Sequence, residues 1–202
     1  MKAILRLLPV LLLTALLVTG LSSCLMKEKV VELVLTGTTS AEYSYNDITE
    51  EYDENVVLDF TEELNQVLED ADISRDEIES AFLVGVEYGA ISLTGHDWTV
   101  SGHIQIERDG TGFQDLVIYT DQSIEAALGK RLSAPLETAG VTVINDAMND
   151  FLAGDSPVLT LKLLGGNVTP DPSAGDPIVF TWKAWLTLQL TVEQTLEVPD
   201  PF

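Results

Sequence analysis

The chain is poor in cysteine, histidine and basic residues. Of its 202 residues, one is Cys, two are His, and 10 are Lys or Arg against 33 Asp or Glu. A single cysteine excludes an internal disulfide framework, and together with two histidines it provides too few ligands for a zinc-finger cluster. A formal charge of −23 repels phosphate backbones, so we do not expect nucleic acid as a partner.

The remaining composition is that of a globular protein. Hydrophobic residues make up 46% of the chain and charged residues 21%, a balance that suits a packed core and not a disordered segment. The length fits one domain together with a targeting segment. We therefore expect a signal segment over residues 1–23 and a single domain over residues 24–202.

The first residues are typical of a secretory signal. Lys2 and Arg6 supply a positive start, and residues 7–18 form an apolar stretch of 12 residues. A helix that crosses a bilayer needs roughly 20 apolar residues, so this stretch favours a removable signal over a permanent transmembrane helix.

The residues that follow, Leu21-Ser22-Ser23-Cys24, contain the chain's one cysteine. They resemble the lipobox of bacterial lipoproteins, in which an aliphatic and two small residues precede a cysteine. The resemblance implies cleavage before Cys24, acylation of its sulfur and new amine, and attachment to a membrane through the acyl chains. Leu25 stands where an Asp would imply retention at the inner membrane, so the resemblance favours the outer membrane. The alternative is an ordinary signal peptide followed by a free thiol.

Removal of residues 1–23 would make the protein still more acidic. It would leave 8 basic against 33 acidic residues, a net charge of −25. A surface this negative is repelled by anionic lipid, so we expect attachment to depend on the acyl chains.

The strongest pattern in the rest of the chain lies near its carboxyl end. Every even-numbered residue from 178 to 192 is apolar, whereas the odd-numbered positions are mostly Thr, Lys, Gln and Glu. Strict alternation indicates a strand of an antiparallel sheet with one face in water. The run would be roughly 50 Å long, so we predict either one long bent strand or two strands broken near Ala184.

Shorter patterns predict further strands and a few helices. Apolar spacing predicts a helix over residues 60–71 capped by Asp59, a short helix beginning at Ser74, a helix near residues 122–132, and one over residues 138–153 closed by Gly154. Strands are expected over residues 27–36, 39–46, 55–60, 82–93, 98–106, 116–119 and 158–164. Phe82, Val84, Val86 and Tyr88 are expected on one face, and Gly165-Gly166-Asn167 as a turn. The predicted fold is mainly β, an antiparallel β-sandwich-like domain with a few short capping helices, an α+β fold.

Acidic residues are concentrated in one region. Residues 42–79 hold 15 of the 33 acids and one basic residue, Arg75. Their carboxylates provide the hard oxygen ligands that Ca²⁺ prefers, but the EF-hand pattern is absent. We interpret the region as a solvated acidic face, with no cofactor expected, and keep a Ca²⁺ site as the alternative. The ligands of such a site would be Asp47, Glu50, Glu51, Asp53 and Glu54.

Other side chains with chemical potential are few. Trp185 lies on the polar face of the alternating run, where its ring suits stacking on a sugar or a partner; packing beneath a helix is the favoured alternative. His96 and His103 lack a neighbouring nucleophile motif and are interpreted as surface histidines.

These observations lead to three hypotheses of different classes. We expect a lipid-anchored protein of the bacterial cell envelope that is not an enzyme and acts as a structural or binding module, its protein, glycan or lipid partner unknown. The alternative is a carrier of an apolar ligand or lipid in a cavity between sheet and helices, lined by the even-numbered residues from 180 to 190. A carboxylate hydrolase is the third, and it requires two acids that converge in a cleft.

Overall fold

The computed structural model describes residues 14–15 and 28–197, and their side chains over residues 30–194. The Leu21-Ser22-Ser23-Cys24 segment lies outside these residues. The described part contains nine strands, three α-helices and one 3₁₀ helix. The strands are β1 (Thr14–Ala15), β2 (Glu28–Asp47), β3 (Tyr52–Asp59), β4 (Ile78–Thr94), β5 (Thr99–Arg108), β6 (Gln114–Ser123), β7 (Leu132–Ser133), β8 (Val158–Thr169) and β9 (Ile178–Glu197). The helices are α1 (Phe60–Ala71), the 3₁₀ turn Arg75–Glu77, α2 (Ile124–Ala127) and α3 (Thr138–Ala153).

Two antiparallel sheets form the framework. Sheet A has the order β1-β2-β9-β4-β7, and sheet B has the order β3-β8-β5-β6. Every pairing between named strands is antiparallel. The fold is therefore mainly β, with two antiparallel sheets and a few short helices, as the sequence predicts.

Strand β9 is the central strand of sheet A. It pairs with β2 along its whole length on one side and with β4 on the other. The alternation is confirmed, because all the even-numbered residues from Ile178 to Val192 are buried. The run is one continuous strand, without a break near Ala184.

The long strands of sheet A are covered by two different layers. Near Asp47 and Ile178, aromatic side chains meet those of sheet B, with a ring-centroid separation of 5.5 Å between Tyr45 and Tyr52. Near Gly37 and Leu188 the sheet is covered by helices. A Cβ atom at Gly37 would lie 3.2 Å from the Val67 side chain of α1, so this helix packs closely on β2. We call the first part the aromatic half and the second the helical half.

The two longer helices begin and end where their sequence predicts. The Asp59 carboxylate accepts a hydrogen bond from the Thr61 backbone N–H at 2.9 Å, which satisfies one of the free donors of the first turn of α1. At the end of α3, Gly154 adopts φ 103°, a left-handed conformation that costs glycine little. The buried face of α3 includes Ile144, Ala147, Met148 and Phe151.

The prediction that Phe82, Val84, Val86 and Tyr88 share one face is wrong. Val86 and Tyr88 are buried, but the Val84 side chain is 43% exposed. The register of β4 on β9 shifts between Leu83 and Gly85, the mark of a β-bulge. A bulge adds one residue to a strand and moves the residues beyond it to the opposite face.

Glycines account for two further differences. Gly165-Gly166-Asn167 is not a turn, because β8 continues through it to Thr169. The two segments predicted over residues 27–36 and 39–46 form the single strand β2, in which Gly37 allows close approach of α1 and does not interrupt the strand.

Two predicted helices are shorter in the structure. The predicted helix near residues 122–132 is the single turn α2, and the one at Ser74 is the 3₁₀ turn Arg75–Glu77. Its capping box is present, with the Glu77 carboxylate accepting from the Ser74 backbone N–H at 2.7 Å. The helix does not extend because Ile78 begins β4.

Candidate functional surfaces

Four residues that pair across the neighbouring strands of sheet B form a row at the boundary of the aromatic half. Tyr52 of β3 pairs with Gly165, Gly165 with Gly102, and Gly102 with Tyr119 of β6. The side chains of the two tyrosines lie over the glycines. Their hydroxyl oxygens are 2.7 Å apart and form a buried hydrogen bond. A Cβ atom at Gly165 would overlap the Tyr52 ring, so the glycines make room for the rings. We call these four residues the glycine row.

The interior beside the glycine row is filled by aromatic rings. The centroid of Trp182 lies 5.6 Å from that of Tyr88 and 5.8 Å from that of Tyr119, and Phe180 lies 5.8 Å from Tyr52. Burial raises the pKa of both Tyr52 and Tyr119 above the ordinary value, because the charged form loses its contact with water. Phe180 and Trp182, two of the residues that the carrier hypothesis places around an apolar ligand, are therefore packed against other rings.

A surface depression lies at one end of sheet B. It is a cleft of about 930 Å³ that is open to solvent, with the β2–β3 loop on one side and the end of β6 on the other. Between these two sides, the cleft is lined by His103 and by the backbone of Gly165 and Gly166. Four carboxylates lie around the cleft: those of Glu50, Glu51, Asp53 and Asp121.

The five candidate Ca²⁺ ligands lie at the end of β2, in the loop that follows it and at the start of β3. Asp53 pairs with Lys162 of β8 at 2.7 Å, and the Asp47 carboxylate accepts from the Ile48 backbone N–H at 2.6 Å. Glu50 and Glu51 lie in the loop beside the cleft, and Glu54 follows in β3. Within residues 14–15 and 28–197, no three His, Cys, Asp or Glu side chains are grouped as metal ligands.

Both histidines have a carboxylate partner. His103 Nδ1 lies 2.9 Å from Asp115 Oδ1, which also accepts from Gln105 Nε2 at 2.8 Å. Burial raises the pKa of Asp115, but the hydrogen bonds from Gln105 and His103 outweigh it, and the net pKa lies below the ordinary value. His96 stacks on Trp98 with a centroid distance of 4.2 Å, and its Nδ1 lies 3.1 Å from Asp176 Oδ2.

Trp185 lies on the outer face of sheet A and is half-buried by cationic side chains. The Arg131 guanidinium carbon lies 4.6 Å and the Lys183 ammonium nitrogen 5.7 Å from its ring centroid. These two cations are paired in turn with Glu87 and Glu42. The indole is thus covered by cation–π contacts, where the sequence favoured a helix as its cover.

The two long edges of sheet A differ, which the sequence did not reveal. The edge at β4 is closed by three contacts: β7 pairs with Glu87 and Tyr88, the Gly129 N–H donates to the Ala90 carbonyl at 2.9 Å, and the Leu83 N–H donates to Asn145 Oδ1 at 3.0 Å. The edge at β2 carries the two residues of β1, opposite Leu33 and Val34. In the described chain nothing else pairs with that edge, which we call the open edge.

Comparisons with protein-family models, curated proteins and solved structures found no match for this chain. In the part of the chain that the structure covers, no helix is long and apolar enough to cross a membrane.

Proposed function

We propose that the protein is a lipid-anchored component of the bacterial cell envelope, held at the outer membrane, that acts as a non-catalytic structural or binding module. The lipobox-like segment ending at Cys24 supports the anchor. Acyl chains contribute roughly 0.8 kcal/mol for each buried methylene, so two or three chains hold a domain stably even when its own charge repels the membrane.

The observation that carries the choice of a binding module over a carrier is the filled interior. The even-numbered residues that would line an apolar cavity are buried against other side chains, with Phe180 in contact with both Tyr45 and Tyr52. The cleft at the end of sheet B and a second depression beside β4 and β7 are lined by loop and strand residues, and neither includes an even-numbered residue from 180 to 190. Binding by this domain would therefore take place on its surface.

The anchor is tested by changing the cysteine and its neighbour separately. Cys24→Ala removes the acylated sulfur, so the protein should fail to incorporate radiolabelled palmitate and should accumulate as an uncleaved or soluble form. Ser23→Ala keeps a small residue before the cysteine and is the matched control, which should be labelled like the wild type. Equal recovery of Cys24→Ala and wild type in washed membranes would show that the lipid assignment is wrong.

The module is distinguished from the carrier by native mass spectrometry. The domain with Cys24→Ser, purified without detergent, should have the same mass under native and denaturing conditions. Additional native mass corresponding to a lipid or another small apolar molecule would contradict the filled interior and favour the carrier.

A further inference from the structure

The open edge of sheet A is long, and among the described residues β1 alone pairs with it. An edge strand presents a row of backbone N–H and C=O groups that accept another strand, and proteins usually blunt it with proline, bulges, charged side chains or a covering segment. Strand β2 has 20 residues and no proline, and its register on β9 runs without a shift from Glu28 to Asp47. By contrast, the edge at β4 carries three register shifts in addition to its three covering contacts.

The structure itself places a strand on the open edge. Thr14 and Ala15 of β1 pair antiparallel with Val34 and Leu33. In the described part of the chain, this pairing leaves the other residues of β2 without a strand on that side, including the stretch from Leu35 to Asp47. Cleavage before Cys24 would remove β1 and free the whole edge.

The surroundings of the open edge are acidic. Strand β2 itself contributes the exposed carboxylates of Glu32, Glu42 and Asp47. Helix α1, which packs beside β2, has acidic residues and no basic one: Glu62, Glu63, Glu69 and Asp70. Among the described side chains, Glu42 is paired with Lys183 of β9. A second copy of this chain would bring the same negative charge to the edge, so the charge favours a basic partner.

From these observations we propose that the open edge binds an extended, basic polypeptide segment, which adds to sheet A as a further strand beside β2. Backbone hydrogen bonds to β2 supply the affinity, and Lys or Arg side chains that contact the acidic surroundings supply the selectivity. This inference rests on the proposed role as a binding module, and it does not depend on the lipid anchor.

The test uses the full protein as isolated from the cells that produce it, in detergent. The probe is a fluorescein-labelled peptide of about ten residues that alternates Lys and Thr, long enough to form a strand. We expect saturable binding in fluorescence anisotropy. Two control peptides isolate the two sources of affinity: one has Glu in place of Lys, and one is N-methylated at every second residue, which removes the donors of one strand edge. Each should bind at least about tenfold more weakly.

Paired protein variants separate the open edge from general charge attraction. Glu32→Lys with Asp47→Lys changes two exposed acids on β2, whereas Glu125→Lys with Glu137→Lys makes the same charge change at two exposed positions beside β6, away from it. The first variant should weaken binding of the Lys-Thr peptide at least about fivefold more than the second. Amide hydrogen exchange should show that the peptide protects residues of β2 and not of β4.

Four outcomes would overturn the proposal. Absence of binding would show that the edge does not accept a basic strand. Equal binding of the N-methylated peptide, or equal weakening in the two double variants, would show attraction by net charge alone. Protection of β2 amides in a dimer without peptide would show that a second copy occupies the edge. Each can occur while Cys24→Ala still abolishes membrane attachment, so failure here is distinct from failure of the anchor.

Discussion

The two halves of sheet A are held together by different means. In the aromatic half, rings from both sheets fill the interior, and their positions depend on the missing side chains of Gly102 and Gly165. In the helical half, the apolar faces of α1 and α3 cover the sheet, and side-chain contacts to the backbone, such as that of Asn145 with the Leu83 N–H, hold the helices in addition. Added atoms should therefore destabilise the aromatic half, whereas removal of polar atoms should destabilise the helical half.

The largest effect on stability is expected in the helical half, at a buried position of β9. Leu186 is fully buried and pairs with Thr39, so Leu186→Asp would bury a carboxylate without a partner. We expect a loss of about 4 kcal/mol or more in the free energy of unfolding, measured by urea denaturation with circular dichroism. Thr187→Asp, on the opposite face of the same strand, is the control and should stay folded. Equal stability of the two variants would show that the faces of β9 are reversed.

The aromatic half can be tested by adding one methyl group. Gly165→Ala would force the Tyr52 ring away from the glycine row, and we expect a loss of about 2–3 kcal/mol with a changed near-ultraviolet dichroism of the aromatic rings. Gly175→Ala makes the same change where no atom lies within 4 Å of the new Cβ, and it should alter neither quantity. If Gly165→Ala behaved like Gly175→Ala, the glycine row would not determine the packing.

Removal of one amide tests the polar contacts of the helical half. Asn145→Ala leaves the Leu83 N–H without its acceptor, which should cost about 1–2 kcal/mol of unfolding free energy. The Leu83 amide should also exchange its hydrogen faster. Asn149→Ala, on the exposed side of α3, is the control. Unchanged exchange at Leu83 would mean that another group satisfies this edge of β4.

The smallest effect is expected on the outer face of sheet B. The pKa of Asp115 is lowered in the folded state, so its ionised form stabilises the fold. This contribution is fully present at a pH above the ordinary pKa of an aspartate. It is lost as the pH falls through the lowered pKa of the folded state. The difference in unfolding free energy between wild type and Asp115→Asn should therefore shrink as the pH is lowered from about 5 to about 2. A difference that stays constant over this range would show that the carboxylate does not act through its charge.

Local signals in the sequence predicted the elements that depend on nearby residues. The cap at Asp59, the left-handed Gly154 and the alternation of β9 each rest on a few neighbouring positions, and all three are confirmed. The bulge in β4 depends on its register against β9, which the sequence of β4 alone does not contain. For this reason the alternation in β4 predicts the wrong face for Val84.

The candidate surfaces were harder to predict because they combine distant parts of the chain. The residues around Gly165 in the sequence are typical of a turn. In the structure Tyr52 and Tyr119 lie in the same row of sheet B, and the Tyr52 ring occupies the place of a side chain at Gly165. The sequence indicated an acidic region, but not that β2 borders it with a free edge, since that requires the strand order of sheet A. Lipidation at Cys24 stays a prediction from the sequence.

The position of β9 between β2 and β4 has a consequence for biosynthesis. Ser44 and Thr181 are neighbours in sheet A although 137 residues separate them in the chain. Neither β2 nor β4 finds its main partner until the ribosome has made β9, and contacts this distant in sequence form slowly. Sheet A therefore assembles only after β9 has been synthesised, so until then the residues of β2 and β4 are without the strand that joins them.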